Sequence, residues 1–281
     1  MISGKAKLAG VMGWPVQHSQ SPRLHGYWLD QYGIDGAYVP LPVRPEDFEG
    51  AFRALPLLGF SGVNITVPHK QTTLELVDIL DPMARQIGAI NTVVISDDGN
   101  LTGYNTDGFG FLENLNRGCP GFDPEAGPAV VLGAGGAARA VACSLIAAGV
   151  SDLRLVNRTR DRADALAGSI QGPVSVYDFS DTDHALDGAN LLVNTTSLGM
   201  EGHPPLTISL DALPVQALVN DIVYAPLRTD LLKTAEARGN SVVDGLGMLL
   251  HQARAGFEKW FGVMPDVTDD LRAHVLKGMG G

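Results

Sequence analysis

Residues Gly133-Ala134-Gly135-Gly136-Ala137-Ala138 follow the apolar run AVVLG and open a stretch of helical character. Their spacing, G-x-G-x-x-A in a strand-turn-helix context, suits the binding of a pyrophosphate. Gly133 permits the tight turn, Gly135 lets backbone N–H groups approach the phosphates, and Ala138 lets helix and strand pack closely. The next apolar run, DLRLV, ends in Asn157-Arg158-Thr159 with no carboxylate at its tip. A carboxylate there would hold free ribose hydroxyls, whereas the planar guanidinium of Arg158 suits a ribose 2′-phosphate. NADP(H) is therefore the expected cofactor. Arg160 and Arg162 either strengthen that field or form a solvated helix start beside Asp161 and Asp164.

The first third of the chain carries polar clusters at the ends of apolar runs. Ser19 and Ser21 precede Pro22, which fits a first helical turn. Their hydroxyls could hold a carboxylate beside free helix N–H groups, or simply cap the helix. Lys70, in Asn64-Ile65-Thr66-Val67-Pro68-His69-Lys70, follows a strand at the start of an expected helix. That is an unfavourable place for a cation, which points towards chemical use. Asn91-Thr92 and Asn105-Thr106-Asp107 are further clusters, the second of which could also cap a helix.

These residues need elements to hold them. Short β-branched runs alternate with helical patterns, which indicates an α/β fold with parallel strands. Strands are expected at LAGVMGW, AYVPLPV and GVNITV, with helices over 22–32, 45–55 and 70–80. Asp98-Gly99 marks a hairpin between NTVVIS and LTGYN. Residues 118–128 are rich in Gly and Pro and read as a linker. Six further strands follow: AVVLG, DLRLV, PVSVY, NLLVN, ALVNDIV and SVVDG. With helices over 136–148, 159–167 and 229–238, they suit a doubly wound Rossmann-like domain. The tail, 247–262 and 266–277, reads as two helices that return to the first domain. The expected division is 1–112 plus 246–281 for a substrate domain and 113–245 for an NADP-binding domain.

Composition narrows the function. Twenty Lys+Arg against 31 Asp+Glu give a net charge of −11, which argues against nucleic-acid binding. Two cysteines in 281 residues make neither a disulfide framework nor a metal cluster and suit a reducing cytoplasm. The most apolar stretch, 129–150, is interrupted by Arg139 and four Gly, so no membrane span is expected.

Nine segments in order, HSQSP, NITVPHK, GAINT, GYNTDGFG, GAGGAARA, NRT, NTTSLGM, NDIVYAPLRTDLL and DGLGMLLHQA, resemble the shikimate dehydrogenase family nearly end to end. The resemblance implies reversible NADPH-dependent reduction of 3-dehydroshikimate to shikimate. It implies that Ser19 and Ser21 hold the substrate carboxylate, and that Thr66, Asn91 and Gln252 bind its hydroxyls or neighbouring groups. Lys70 and Asp107 are similar to the catalytic pair, and Tyr224 to a tyrosine lining the substrate site. Gly133, Ala134, Gly135, Gly136, Ala137, Asn157, Arg158, Thr159 and Arg162 would bind the cofactor. So would Thr195, Ser197 and Met200, together with Ile222, and with Gly245 and Met248 near the nicotinamide. No metal is implied, and the molecule would be a monomer or homodimer.

The chemistry is consistent with those roles. Reduction leaves negative charge on the substrate oxygen, and a lysine can donate a proton there or stabilise the charge electrostatically. Two alternatives remain: a quinate/shikimate enzyme of dual specificity, and a non-catalytic NADP-binding regulator. Asn157-Arg158 counts against the first, and the presence of Lys70 and Asp107 against the second.

Overall fold

The computed structural model describes residues 2–279. They form two units: residues up to Thr106 together with those from Leu250, and Asp107–Leu249.

The first unit runs β1 (Lys7–Gly13), α1 (Ser21–Gln31), β2 (Gly36–Pro42), α2 (Phe48–Ala54), β3 (Phe60–Ile65), β4 (Ile79–Leu80), α3 (Pro82–Ile87), β5 (Thr92–Ile95) and β6 (Leu101–Tyr104). Its sheet order is β2-β1-β3-β5-β6-β4. The sheet is mixed: β1 pairs in parallel with β2 and β3, while β5 runs antiparallel to both β3 and β6. The Asp98-Gly99 turn joins β5 to β6, with Gly99 in the left-handed region.

The helix expected over 70–80 does not form. A 3-10 turn, Thr72–Glu75, takes its place and is followed by β4. Thr72, Thr73, Val77 and Asp78 are poor helix formers. Asp78 instead bonds distant backbone, its N–H donating to Leu101 O at 3.0 Å or less (2.9 Å) and its carboxylate accepting from Leu101 N (2.8 Å). Pairing with β6 therefore overrides the local pattern, and Asp81 before Pro82 then caps α3.

The second unit contains α4 (Asp107–Gly118), β7 (Ala129–Leu132), α5 (Gly136–Ala147), β8 (Leu153–Asn157), α6 (Arg160–Ser169), β9 (Val174–Asp178), α7 (Thr182–Leu186), β10 (Leu191–Asn194), β11 (Leu218–Asp221), α8 (Asp230–Arg238) and β12 (Val242–Val243). All its strands are parallel in the order β12-β11-β10-β7-β8-β9, the doubly wound arrangement. The central strands β7 and β10 are buried throughout, which is why they read as unbroken apolar runs. The Gly- and Pro-rich stretch expected as a linker joins α4 to β7 inside this unit. Among the described residues no helix is long and apolar enough to cross a membrane, and no group of three or more His, Cys, Asp or Glu could hold a metal.

The helix α9 (Leu246–Phe261) begins in the second unit and ends in the first, followed by α10 (Asp269–Lys277). Its docking on the first sheet depends on Gly62, where a Cβ would lie 2.2 Å from the Trp260 indole nitrogen. That nitrogen donates to Val93 O at 3.0 Å. Trp28 of α1 donates to Asp266 O at 3.0 Å, which ties the tail down.

His25 lies at the centre of this packing. Its ring stacks on Tyr38 (3.9 Å between centroids) and is surrounded by Trp28, Phe257 and Trp260. Neither ring nitrogen has a partner in hydrogen-bonding geometry. Burial lowers its pKa to about 3, a shift that the nearby Asn64 side chain only partly opposes. A histidine held neutral stabilises the fold above its unfolded pKa of 6.5, and that stability is lost as pH falls towards about 3. Between pH 7 and 5, wild type should lose about 2 kcal/mol more than His25→Phe in urea unfolding. Equal losses would show that His25 does not titrate this way.

Candidate active site

In the first unit, the expected substrate residues gather at one end of the mixed sheet. The carboxyl ends of β1, β3 and β6 lie there with the start of β5, where open α/β sheets bind ligands. Ser19 and Ser21 follow β1, and the Ser19 hydroxyl accepts from Ser21 N at 3.3 Å. Ser21 is not the cap of α1. The cap position of α1 belongs to Gln20, which makes no side-chain bond to the helix, and Ser21 is already helical. Ser21 is buried.

Thr66 ends the turn from β3: its N–H donates to Met12 O and its carbonyl accepts from His69 N, both at 3.0 Å. Lys70 is half-buried, and its carbonyl accepts from Ile90 N at 2.8 Å, which brings it beside Asn91 in the chain path. The element after Lys70 is the short 3-10 turn, so an unfavourable helix dipole is not what marks this residue.

Asn91 is buried and its carboxamide is engaged at both ends. Its Oδ1 accepts from Thr106 N (2.9 Å), Thr92 Oγ1 (2.9 Å) and Thr106 Oγ1 (3.2 Å). Its Nδ2 donates to Thr106 Oγ1 (3.1 Å) and to Gln252 Oε1 of α9 (3.3 Å). Asn64 extends the network: its Nδ2 reaches Asn91 O (3.0 Å) and Thr92 Oγ1 (3.1 Å), and its Oδ1 accepts from the Tyr38 hydroxyl (2.6 Å). One buried chain of hydrogen bonds thus runs from Tyr38 through Asn64, Thr92 and Asn91 to Thr106 and Gln252. Tyr38, Asn64, Thr92 and Thr106 carried no role in the sequence reading. Polar residues inside otherwise buried strand segments were the available signal.

The second unit holds Asp107, Tyr224 and all the expected cofactor residues. Asp107 is the first residue of α4, where its carboxylate meets a favourable helix end. Burial raises the Tyr224 phenol above its ordinary value, so it remains a donor at neutral pH. Gly133 has φ +115°, and a Cβ there would sit 2.7 Å from Thr195 Oγ1. Thr195 is itself fixed by a 2.6 Å bond from Oγ1 to Leu132 O. Gly135 caps α5 without a side-chain bond, and a Cβ on Gly135 or Gly136 would meet nothing within 4 Å. Ala134 and Ala137 flank this open backbone, and Ala138 is fully buried against the sheet. The loop thus leaves room and unsatisfied N–H groups for a phosphate, as the dinucleotide reading requires.

The structure separates the arginines. Arg154 is anchored by Asp152 and by the carbonyls of Ala185 and Asp187, so it is taken up within the fold. Arg160 pairs with Asp164 and Asp178. Arg158 and Arg162 are exposed, with no ion pair among the described residues. Asn157 Nδ2 donates to Thr159 O at 2.7 Å, shaping the turn that carries Arg158. Ser197 and Met200 lie on the turn after β10, joined by a 3.2 Å bond from Met200 N to Ser197 O. Gly245 backs onto Ile222, whose carbonyl oxygen would be 2.2 Å from a Cβ at that position, and Met248 is half-buried one turn into α9.

Three family models match the chain: "Shikimate dehydrogenase substrate binding domain" at residues 11–93, "Shikimate / quinate 5-dehydrogenase" at 123–200 and "Shikimate 5'-dehydrogenase C-terminal domain" at 245–275. A protein of Paramagnetospirillum magneticum named "Shikimate dehydrogenase (NADP(+))" is 61% identical over 275 residues, covering 98% of this chain and 100% of that one. This chain belongs to the shikimate dehydrogenase family. Among solved structures of the family, the shikimate 5-dehydrogenase of Thermus thermophilus in complex with NADP(H) and shikimate is 37% identical, with a TM-score of 0.85. It covers 96% of this chain and 99% of its own. A quinate dehydrogenase of Corynebacterium glutamicum in complex with NAD is 34% identical, with a TM-score of 0.89, over 97% of this chain and 99% of its own.

Gly133 and Gly135, two residues apart, differ in their surroundings, which gives a stability test. Gly133→Ala should cost at least about 2 kcal/mol, because it adds both a left-handed alanine and a clash with Thr195. Gly135→Ala, in open space at an allowed φ, should stay within about 1 kcal/mol of wild type in thermal or urea unfolding. Equal losses would contradict this division.

Proposed function

We propose that the protein catalyses the reversible reduction of 3-dehydroshikimate to shikimate with NADPH. The observation that carries this reading is the end-to-end 61% identity with a relative named as the NADP-dependent enzyme. Every polar residue that the family resemblance assigns to chemistry is also present in this chain.

NADPH, when bound, supplies a hydride. The glycine loop before α5 suits its pyrophosphate, and Arg158 with Arg162 suits its 2′-phosphate, since both guanidinium groups are exposed and unpaired among the described residues. Thr195, Ser197, Met200, Ile222, Gly245 and Met248 complete the proposed cofactor set.

Ser19 and Ser21 hold the substrate carboxylate by hydroxyl donation. Thr66, Asn91 and Gln252 orient its hydroxyls, with Tyr224 as a further donor. Lys70 donates a proton to the substrate oxygen that gains negative charge at C3, and takes it back in the reverse direction. Asp107 is the second member of the catalytic pair. The two free cysteines accord with a cytoplasmic location. The working form is a monomer or homodimer.

Absorbance at the NADPH band tests the assignment, with NADP and either shikimate or quinate supplied. The signal should grow with shikimate and be nearly abolished in Lys70→Ala, a variant that still binds NADPH. No signal with shikimate would sink the reading. Arg158→Ala should weaken NADPH by tenfold or more while changing NADH about twofold or less, because a lost charge-assisted contact to phosphate is worth on the order of 1.5–3 kcal/mol. Equal effects on the two cofactors would remove Arg158 from recognition of the 2′-phosphate.

A further inference from the structure

Asp221, the last residue of β11, is a fully buried carboxylate with no cationic partner among the described residues. Three donors converge on it. Asn194 Nδ2 reaches Oδ1 at 2.9 Å, Val223 N reaches Oδ1 at 3.0 Å, and Thr229 Oγ1 reaches Oδ2 at 2.7 Å. Each comes from a different piece of chain. Asn194 ends β10 and itself organises the following turn: its Oδ1 accepts from Thr196 N (3.0 Å) and Thr196 Oγ1 (2.8 Å), and its Nδ2 also reaches Leu198 O (3.2 Å). Val223 lies in the turn after β11, and Thr229 caps α8 through Leu232 N at 3.4 Å.

We propose that Asp221 is a positioning residue for the cofactor: its carboxylate locks the turn after β10 to the turn after β11, and so fixes Thr195, Ser197, Met200 and Ile222. The assignment rests on the reading that the second unit binds NADP(H). A second link joins the same two turns, from Glu201 N to Ala225 O at 2.7 Å, so they behave as one paired structure anchored at Asp221.

The choice of residue supports a role beyond packing. A buried carboxylate without a counter-ion is unfavourable for stability, and burial here pushes the Asp221 carboxyl up from its ordinary value. An apolar side chain would avoid that penalty but accept from none of the three donors. An asparagine would present only one oxygen. A carboxylate can accept from all three at once, and charge-assisted bonds are the stronger kind. What is gained is a rigid shape in two turns that carry proposed cofactor residues.

The test compares Thr229→Val, which keeps shape and removes the bond to Oδ2, with Thr229→Ser, which keeps the hydroxyl. NADPH affinity is read by fluorescence titration without substrate, and folding by a thermal melt. Thr229→Val should weaken NADPH about tenfold while its Tm falls by no more than about 5 °C. Thr229→Ser should bind within about twofold of wild type. Asp221→Asn is the second variant and should weaken NADPH with no fall in Tm at pH 7, since the buried charge is removed. Wild-type binding with unchanged affinity in Thr229→Val and Asp221→Asn overturns the assignment alone, and so does a loss in Thr229→Val that serine fails to restore. Wild type that binds no NADPH overturns the cofactor reading as well.

Discussion

The Asn91 carboxamide is the point at which the first unit's polar residues become one structure. Its oxygen and nitrogen are both used, and they reach residues from β5, from the end of β6 and from α9. A buried amide of this kind must be satisfied or it destabilises the fold. That requirement fixes Thr106 and Gln252 as firmly as Asn91 itself. Through Asn64 the same constraint extends to Tyr38 of β2. Residues proposed to touch different parts of a small polyhydroxylated acid are thus set by one hydrogen-bonded network rather than by separate supports.

The second unit solves a different problem with backbone. In the proposed reading a dinucleotide's phosphates meet open space at the start of α5, and that space persists because Gly135 and Gly136 have no neighbours to fill it. Gly133 is the opposite case, pressed against Thr195 and allowed only by its lack of a side chain. Side-chain chemistry then enters at the strand tips. Arg158 and Arg162 stay unpaired among the described residues while Arg154 and Arg160 are taken up by carboxylates. What their acidic neighbours can reach therefore decides which of the neighbouring arginines stay available to the proposed phosphate.

Features set by short stretches of chain were legible in the sequence. The glycine loop, the Asp98-Gly99 hairpin and the six strands of the second unit all follow from local turn chemistry or from continuous burial, which writes itself as an apolar run. Features set by distant partners were not. The stretch 70–80 carries a helical look, yet β4 is two residues long and its partner lies more than twenty residues onward, at Leu101–Tyr104. Asn64, Thr92, Asn194 and Asp221 stood inside motifs or strands that were noticed, but their roles depend on side-chain partners brought close only by the sheets. Ser21 looked like a helix cap because Pro22 follows it; the helix begins one residue earlier, so Ser21 is its first residue.

A double-mutant cycle tests most directly whether the substrate residues form one cooperative network. Tyr38→Phe and Thr106→Val remove hydroxyls at opposite ends of it, and these two side chains share no hydrogen bond with each other. Shikimate affinity, measured by titration calorimetry on wild type, both single variants and the double variant, gives their coupling. A single network predicts a coupling energy above about 0.5 kcal/mol, the usual limit for independent sites. Additive effects within that limit would mean that Tyr38 and Gln252 are held separately, and would contradict the central place given to Asn91.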